Sequence, residues 1–447
     1  MNPIFITNGG KKMKRRWGIL LTASMVTLLA ACGNSSEEEA NGDGNNKEKT
    51  VEIWSFTDEI STMINDYYLP SHPDLDYKIN VVTTPTEQFE AKLDPILGSK
   101  DAPDVVLMEG NFAKKYVESG MLTDLDQFSS LSENLENTYD YVKEVGTNKD
   151  GIQVANAWQA APGAFFYRDS FAKEYLGIET PEEMQEAITT WDGFYETAKK
   201  LDEASNGELD MISGIEDLSF PFYSTREKGW VVDNKLEIDN NITELLELAK
   251  KMNEEGLMLD APPQSEAYFS GMSNNKVFGY SLPTWGLHFW LKPNAESSDA
   301  SNSTEGDWKM AKGPATYFRG GTWMGVTETS DTKEAAADIV EYLTTDPEFL
   351  KQWAEDTGDV VSNRTVVDEI KGGFSEEFLG GQNHYEQFAD QIDSIDASIV
   401  TEYDQTLNTL FNDSALIPYS KGEIKLDQAI DDFKNAAKNA YPDLEID

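Results

Sequence analysis

Residues 102–128 read APDVVLMEGNFAKKYVESGMLTDLDQF. The apolar run at 104–108 (DVVLM), placed after Pro103, has the pattern of a strand buried on both faces of a parallel sheet. A helix over about 111–119 follows and stops at Gly120. Upstream, VEIWSF at 51–56 predicts a strand, 60–68 a short helix and 77–82 a second strand. Phe89, Leu93, Ile96 and Leu97 then share one helical face. Strand and helix alternate three times, the order of a doubly wound α/β domain.

The downstream half is richer in helix. Segments 194–201 and 243–253 are amphipathic, and 277–282 reads as a strand. Asp331 with Glu334 three residues on has the form of a capping box, followed by Ala335, Ile339, Val340 and Leu343 on one face. Thr345-Asp346-Pro347 opens a further helix with proline at its first position, Phe349, Leu350 and Trp353 facing inward and Gly358 as the stop. There is no internal repeat.

Composition limits the function. The chain has 447 residues, 81 acidic and 36 basic side chains and a net charge of −45. At roughly 150 residues per domain this predicts two to three domains. With 21 Phe, 18 Tyr and 10 Trp, there is ample material for packed cores. The charge argues against nucleic acid, whose binding needs a surplus of Lys and Arg. One cysteine and three scattered His leave no basis for a disulfide or a metal centre, and no cofactor is expected.

The sole cysteine has another use. Lys11, Lys12, Lys14, Arg15 and Arg16 precede an apolar run from Trp17 to Ala31, which ends Leu29-Ala30-Ala31-Cys32. This is the layout of a secretory signal peptide, and the run is shorter than the ~20 residues of a membrane span. The segment resembles the lipobox of bacterial lipoproteins, which implies that residues 1–31 are removed and that Cys32 carries the lipid. Residues 32–49 contain no apolar side chain larger than Ala after the cysteine and read as an acidic flexible linker.

The ordered set of segments resembles the extracellular solute-binding proteins of carbohydrate ABC importers, the maltose-binding-protein-like branch. The likeness rests on 102–128, on PGAFFYRDSFAKEYLG (162–177) with TWDGFYETAKKL (190–201), on VFGYSLPTWGL (277–287), and on 320–367, which opens GGTWMGVTETSD. It implies a periplasmic-binding-protein type II-like fold, two α/β lobes joined by a hinge. Lobe one is then 50–155 plus 309–345, and lobe two 156–308 plus 346–447. The implied protein is a monomer, lipid-anchored on the outer face of a Gram-positive cell membrane, that passes a sugar to ABC permease subunits.

A sugar presents apolar C–H faces and a rim of hydroxyls, met by aromatic rings and by carboxylates, amides or Arg. In open α/β sheets such groups gather at the carboxyl ends of strands. That rule points to Trp54, Asp58 and Glu59 after the first strand and to Glu109 after the third, with Asn111 behind it. Glu109 has a second reading, as an acid complementing a helix N-terminus. Trp158 and Gln159 fall at the expected crossover between lobes, Trp230 follows a polar loop, and Trp323 follows Gly320-Gly321. Trp285 in Pro283-Thr284-Trp285-Gly286 resembles a family loop that faces the sugar, and Tyr403 aligns loosely with an aromatic of the second lobe. Each tryptophan has core packing as its alternative, and Arg319 either reaches a ligand or pairs with one of the many carboxylates. The number of tryptophans favours an oligosaccharide. Two rival readings stand beside this one: a binding protein for a peptide, polyamine or phosphate ester, and a secreted glycosidase. Neither Gly-x-Ser-x-Gly nor His-Glu-x-x-His is present.

Overall fold

A computed structural model describes residues 49–295 and 303–446; the basic n-region, Cys32 and nearly all of the linker lie outside them. In chain order the strands are β1 (Lys49–Ser55), β2 (Tyr77–Thr83), β3 (Val105–Glu109), β4 (Asn156–Ala157), β5 (Gly163–Arg168), β6 (Asp210–Ile212), β7 (Val231–Val232), β8 (Lys235–Leu236), β9 (Val277–Pro283), β10 (Trp308–Ala311) and β11 (Thr322–Val326). Two of the sheets they form organise the molecule.

The first sheet has the order β2-β1-β3-β11-β4. β1 runs parallel to β2, with Val51 opposite Ile79, and parallel to β3, with Ile53 opposite Val105. Val105, Val106, Leu107 and Met108 are fully buried, as a strand covered on both faces requires. β11 returns antiparallel beside β3 and sets Thr322 opposite Glu109. The chain before β11 therefore lies over the carboxyl end of β3.

The second sheet has the order β10-β5-β9-β6, with β5 antiparallel to both neighbours. All of GAFFYR in β5 is buried because each face has its own cover. Phe165 and Tyr167 meet Phe278, and Phe165 meets Phe194, on one side. Phe166 meets Phe388 on the other. Burying such side chains contributes about 1.5–3 kcal/mol each. Strand pairing puts β4 in the first sheet and β10 in the second, so the boundaries drawn at 155/156 and 308/309 fall a few residues from where the chain changes sheet.

One helix start differs from expectation. The helix Lys333–Thr345 has Thr332 at its N-cap and no side-chain cap bond. The helix starts one residue later than the Asp331–Glu334 box requires, so the box is not made; the Thr332 amide donates to the Ser330 hydroxyl. The next helix, Pro347–Thr357, begins as its sequence predicts: Asp346 accepts from the Phe349 amide and Gly358 ends it at φ +76°. Among the described residues no helix is long and apolar enough to cross a membrane.

Candidate ligand-binding cleft

Glu109 closes β3 and caps the helix Gly110–Val117, its carboxylate accepting from the amide and the side chain of Asn111 at 3.2 Å each. Burial pushes this carboxyl up to about 7, against the Asn111 bonds and the nearby Arg319 charge, which favour the ionised form. The two glycines next to it are sterically required. A Cβ on Gly110 would lie 2.3 Å from the Gly320 carbonyl oxygen, and one on Gly320, at φ +76°, would lie 2.5 Å from Trp285 Nε1. Trp285 donates to the Arg319 carbonyl at 2.8 Å, and Gly110 donates to the Gly321 carbonyl at 3.0 Å. Strand end, diglycine and Trp285 thus fix the segment 318–320 as one wall of a cavity of about 70 Å³.

The facing wall comes from helices. Phe220 and Tyr223 of the helix Glu216–Tyr223, the turn to Arg226, and Asp404, Gln405 and Asn408 of the helix Asp404–Phe411 line it, with Asp396, Ile399 and Val400 at the edge. Arg226 donates through Nε to the Tyr223 carbonyl at 2.9 Å and through Nη2 to Asp404 at 2.5 Å. Its guanidinium lies 4.9 Å from the Trp230 ring centroid, while Trp230 donates to Asn408 at 2.7 Å. Arg319 stacks 3.8 Å over Phe220 and reaches Glu216 at 3.4 Å. These two arginines are 7% and 5% exposed, and in each the Nη1 atom has no hydrogen-bond partner.

The sequence-predicted residues divide. Glu109 adjoins the cavity, Asn111 and Arg319 line it, and Trp285 supports it from behind. Glu59 lies apart from the cavity lining, beside Asp359: burial pushes Glu59 up to about 7, and burial with the Glu59 charge raises Asp359 well above the usual carboxylate range. Asp58 is exposed and makes no cap bond. Four of the tryptophans lie outside the lining of this cavity. Trp54 turns back along β1 to donate to Glu52 at 2.8 Å. Trp158 is fully buried in the larger core. Trp230 is fully buried among Phe411 and Phe433. Trp323 is 1% exposed and donates to the Val142 carbonyl. Gln159, 5% exposed, bonds Thr322 within the first sheet region. Tyr403 packs edge-on against Tyr441 in an adjoining groove of about 690 Å³, which shares Gln405 with the cavity and where Gln405 donates to Glu90 at 2.8 Å.

Phe220, Tyr223, Arg226, Phe318, Asp404 and Asn408 were not among the residues the sequence singled out. The available signal was Arg226 in the polar loop ahead of Trp230, a basic residue in a chain with few. Among the described residues no group of three His, Cys, Asp or Glu side chains is placed to hold a metal.

The family model for bacterial extracellular solute-binding proteins matches residues 71–377, more than half of the chain. The chain belongs to that family. Its fold is the periplasmic-binding-protein type II-like fold of solved members. A structure described as an extracellular solute-binding protein of family 1 superposes with TM-score 0.77 at 16% identity, covering 87% of this chain and all of the other. An ABC-transporter-associated binding protein of B. animalis subsp. lactis Bl-04, in complex with β-1,6-galactobiose, matches with TM-score 0.68 at 22% identity over 89% of this chain and 99% of its own. The galacto-N-biose-/lacto-N-biose I-binding protein from Bifidobacterium longum matches with TM-score 0.69 at 14% identity, over 90% of this solute-binding protein and all of its own length. No curated protein sequence matches.

Proposed function

We propose that this solute-binding protein captures a saccharide between its two sheets' lobes and delivers it to the permease of an ABC transporter, as a monomer tethered to the outside of the membrane by a lipid on Cys32. The observation that carries this reading is the cavity itself, built where strand ends of one sheet meet helices packed on the other, and lined by aromatic rings, carboxylates and two buried guanidiniums. Relatives of the same fold are described with bound disaccharides, in keeping with a di- or oligosaccharide here. The count of tryptophans carries no weight for ligand size here, since four of them do not line the cavity.

The cavity encloses about 70 Å³, against roughly 300–1,000 Å³ for a typical small-molecule site. The walls therefore part to admit a sugar, by the hinge motion that two-lobed binding proteins use. The polar bonds Gln405 to Glu90 and the Ala397 amide to Glu144 at 3.2 Å tie the helical wall to the first-sheet side and break on opening.

The test is thermal unfolding of the chain from residue 33, which contains the whole compact unit Glu48–Asp447, against mono- and oligosaccharides. A ligand at 100 times its dissociation constant stabilises by about 2.7 kcal/mol. A selective rise in midpoint with one sugar supports the proposal. No rise with any sugar, and a rise with a peptide or polyamine, contradicts it.

A further inference from the structure

Resting on the reading above, we infer that Arg226 and Arg319 are the ligand's principal hydrogen-bond donors, and that the ligand is an uncharged saccharide rather than one carrying a uronate or phosphate. The first part follows from unmet hydrogen bonding. Both side chains are more than nine-tenths buried, and both have Nη1 without a partner, while Nε and Nη2 of Arg226 and Nη2 of Arg319 are held by the protein. A buried orphan donor on a charged group is costly, and native proteins rarely leave one without a use. Among the residues lining the cavity, these two nitrogens are the buried side-chain polar atoms left unmet. What they require is an acceptor oxygen, which a sugar supplies from its hydroxyls and its ring.

The second part follows from charge. Arg226 has Asp404 at 2.5 Å and Arg319 has Glu216 at 3.4 Å, so each cation already has its counter-ion. Asp396 also lines the cavity, and Glu109 stands beside it. Among the described residues lining the cavity no positive charge is left over to compensate an anionic ligand, which would meet carboxylates as it entered. A neutral sugar takes the N–H groups without that repulsion. The guanidinium planes are fixed before binding, Arg319 by stacking on Phe220 and Arg226 by Trp230. Their donors therefore point in set directions, which makes them specificity determinants.

Isothermal titration of the chain from residue 33 tests this with β-1,6-galactobiose, lacto-N-biose and maltose as neutral probes and digalacturonate as the acidic one. The inference expects a neutral disaccharide to bind at least about tenfold tighter than digalacturonate, and Arg319→Gln and Arg226→Lys each to weaken it about tenfold or more. Monodeoxy forms of the bound sugar separate contact from mere support. At the contacted hydroxyl, the deoxy penalty seen in the unmodified chain shrinks in the matching arginine variant. Should Arg226→Lys fail to fold, judged by its ligand-free midpoint, Arg319→Gln decides, because its pairing is looser. Tightest binding of digalacturonate, or full affinity in the arginine variants, overturns the inference while leaving saccharide capture intact. Silence of all four sugars, together with no midpoint rise from any sugar of the unfolding panel, defeats saccharide capture and this inference with it.

Discussion

The two walls of the cleft are made in different ways. On the first-sheet side, Glu109, Gly110 and Asn111 are consecutive, delivered by the end of β3 and locked by the diglycine that leads into β11. On the helical side, Arg226 and Asp404 form one ion pair across 178 residues of sequence, and Trp230 and Asn408 form a second contact across another 178. A strand end announces itself in the sequence, because the apolar run and the break after it are local. A wall assembled from two packed helices is set by tertiary contacts, and its key residues look like ordinary loop and surface polars until the packing is known.

That difference can be broken experimentally. The largest effect is expected at the helical wall. Asp404→Ala leaves Arg226 charged and buried without its partner, and the loss of stability should be about 3–5 kcal/mol, measured by urea unfolding. A loss below 1 kcal/mol would mean that water already reaches the pair. On the strand-end wall, Gly320→Ala adds a methyl against Trp285 in a left-handed backbone. It should cost about 2–4 kcal/mol and lower sugar affinity, because the Trp285 bond to Arg319 cannot survive the displacement.

A smaller effect comes from pH. Glu59, Glu109 and Asp217 are pushed up to about 7 by burial, so the folded state holds protons that the unfolded chain has already released. Stability then falls as pH rises through about 7. His288 and His384 are held down to about 4, mainly by burial, and act in the opposite sense at lower pH, so the clean window is pH 6.5 to 8. The melting midpoint should drop by a few degrees across it, and Glu109→Gln should flatten that drop. An unchanged slope in the variant would show that Glu109 is ionised throughout. The smallest effect is expected at Tyr403, which lies in the neighbouring groove: Tyr403→Ala should leave sugar affinity within about twofold, and a larger loss by titration would move the site.

The same contrast explains what was legible in the sequence. The βαβαβα order, the burial of 105–108, the Asp346-Pro347 helix start and the Gly358 stop all depend on neighbours within a few residues, and the structure has them. The box at Asp331 is not made because the helix begins with Thr332, not Asp331, at its N-cap. Glu109 had two readings, ligand neighbour and helix cap, and it caps the helix while bordering the cavity. The tryptophans were not legible, because a large ring next to a glycine or a polar loop has the same local pattern whether it faces a ligand or the core. Trp230 is the instructive case: it contacts Arg226 and Asn408, which line the cavity, without lining it itself.

The measurement that tests the account most directly is a crystal structure with whichever sugar gives the largest rise in melting midpoint. The account predicts that sugar between Asn111 and Arg319 on one side and Arg226 on the other, with oxygens on the two Nη1 atoms. A sugar bound in the groove beside Tyr403 and Tyr441, with both guanidiniums still unmet, would contradict it.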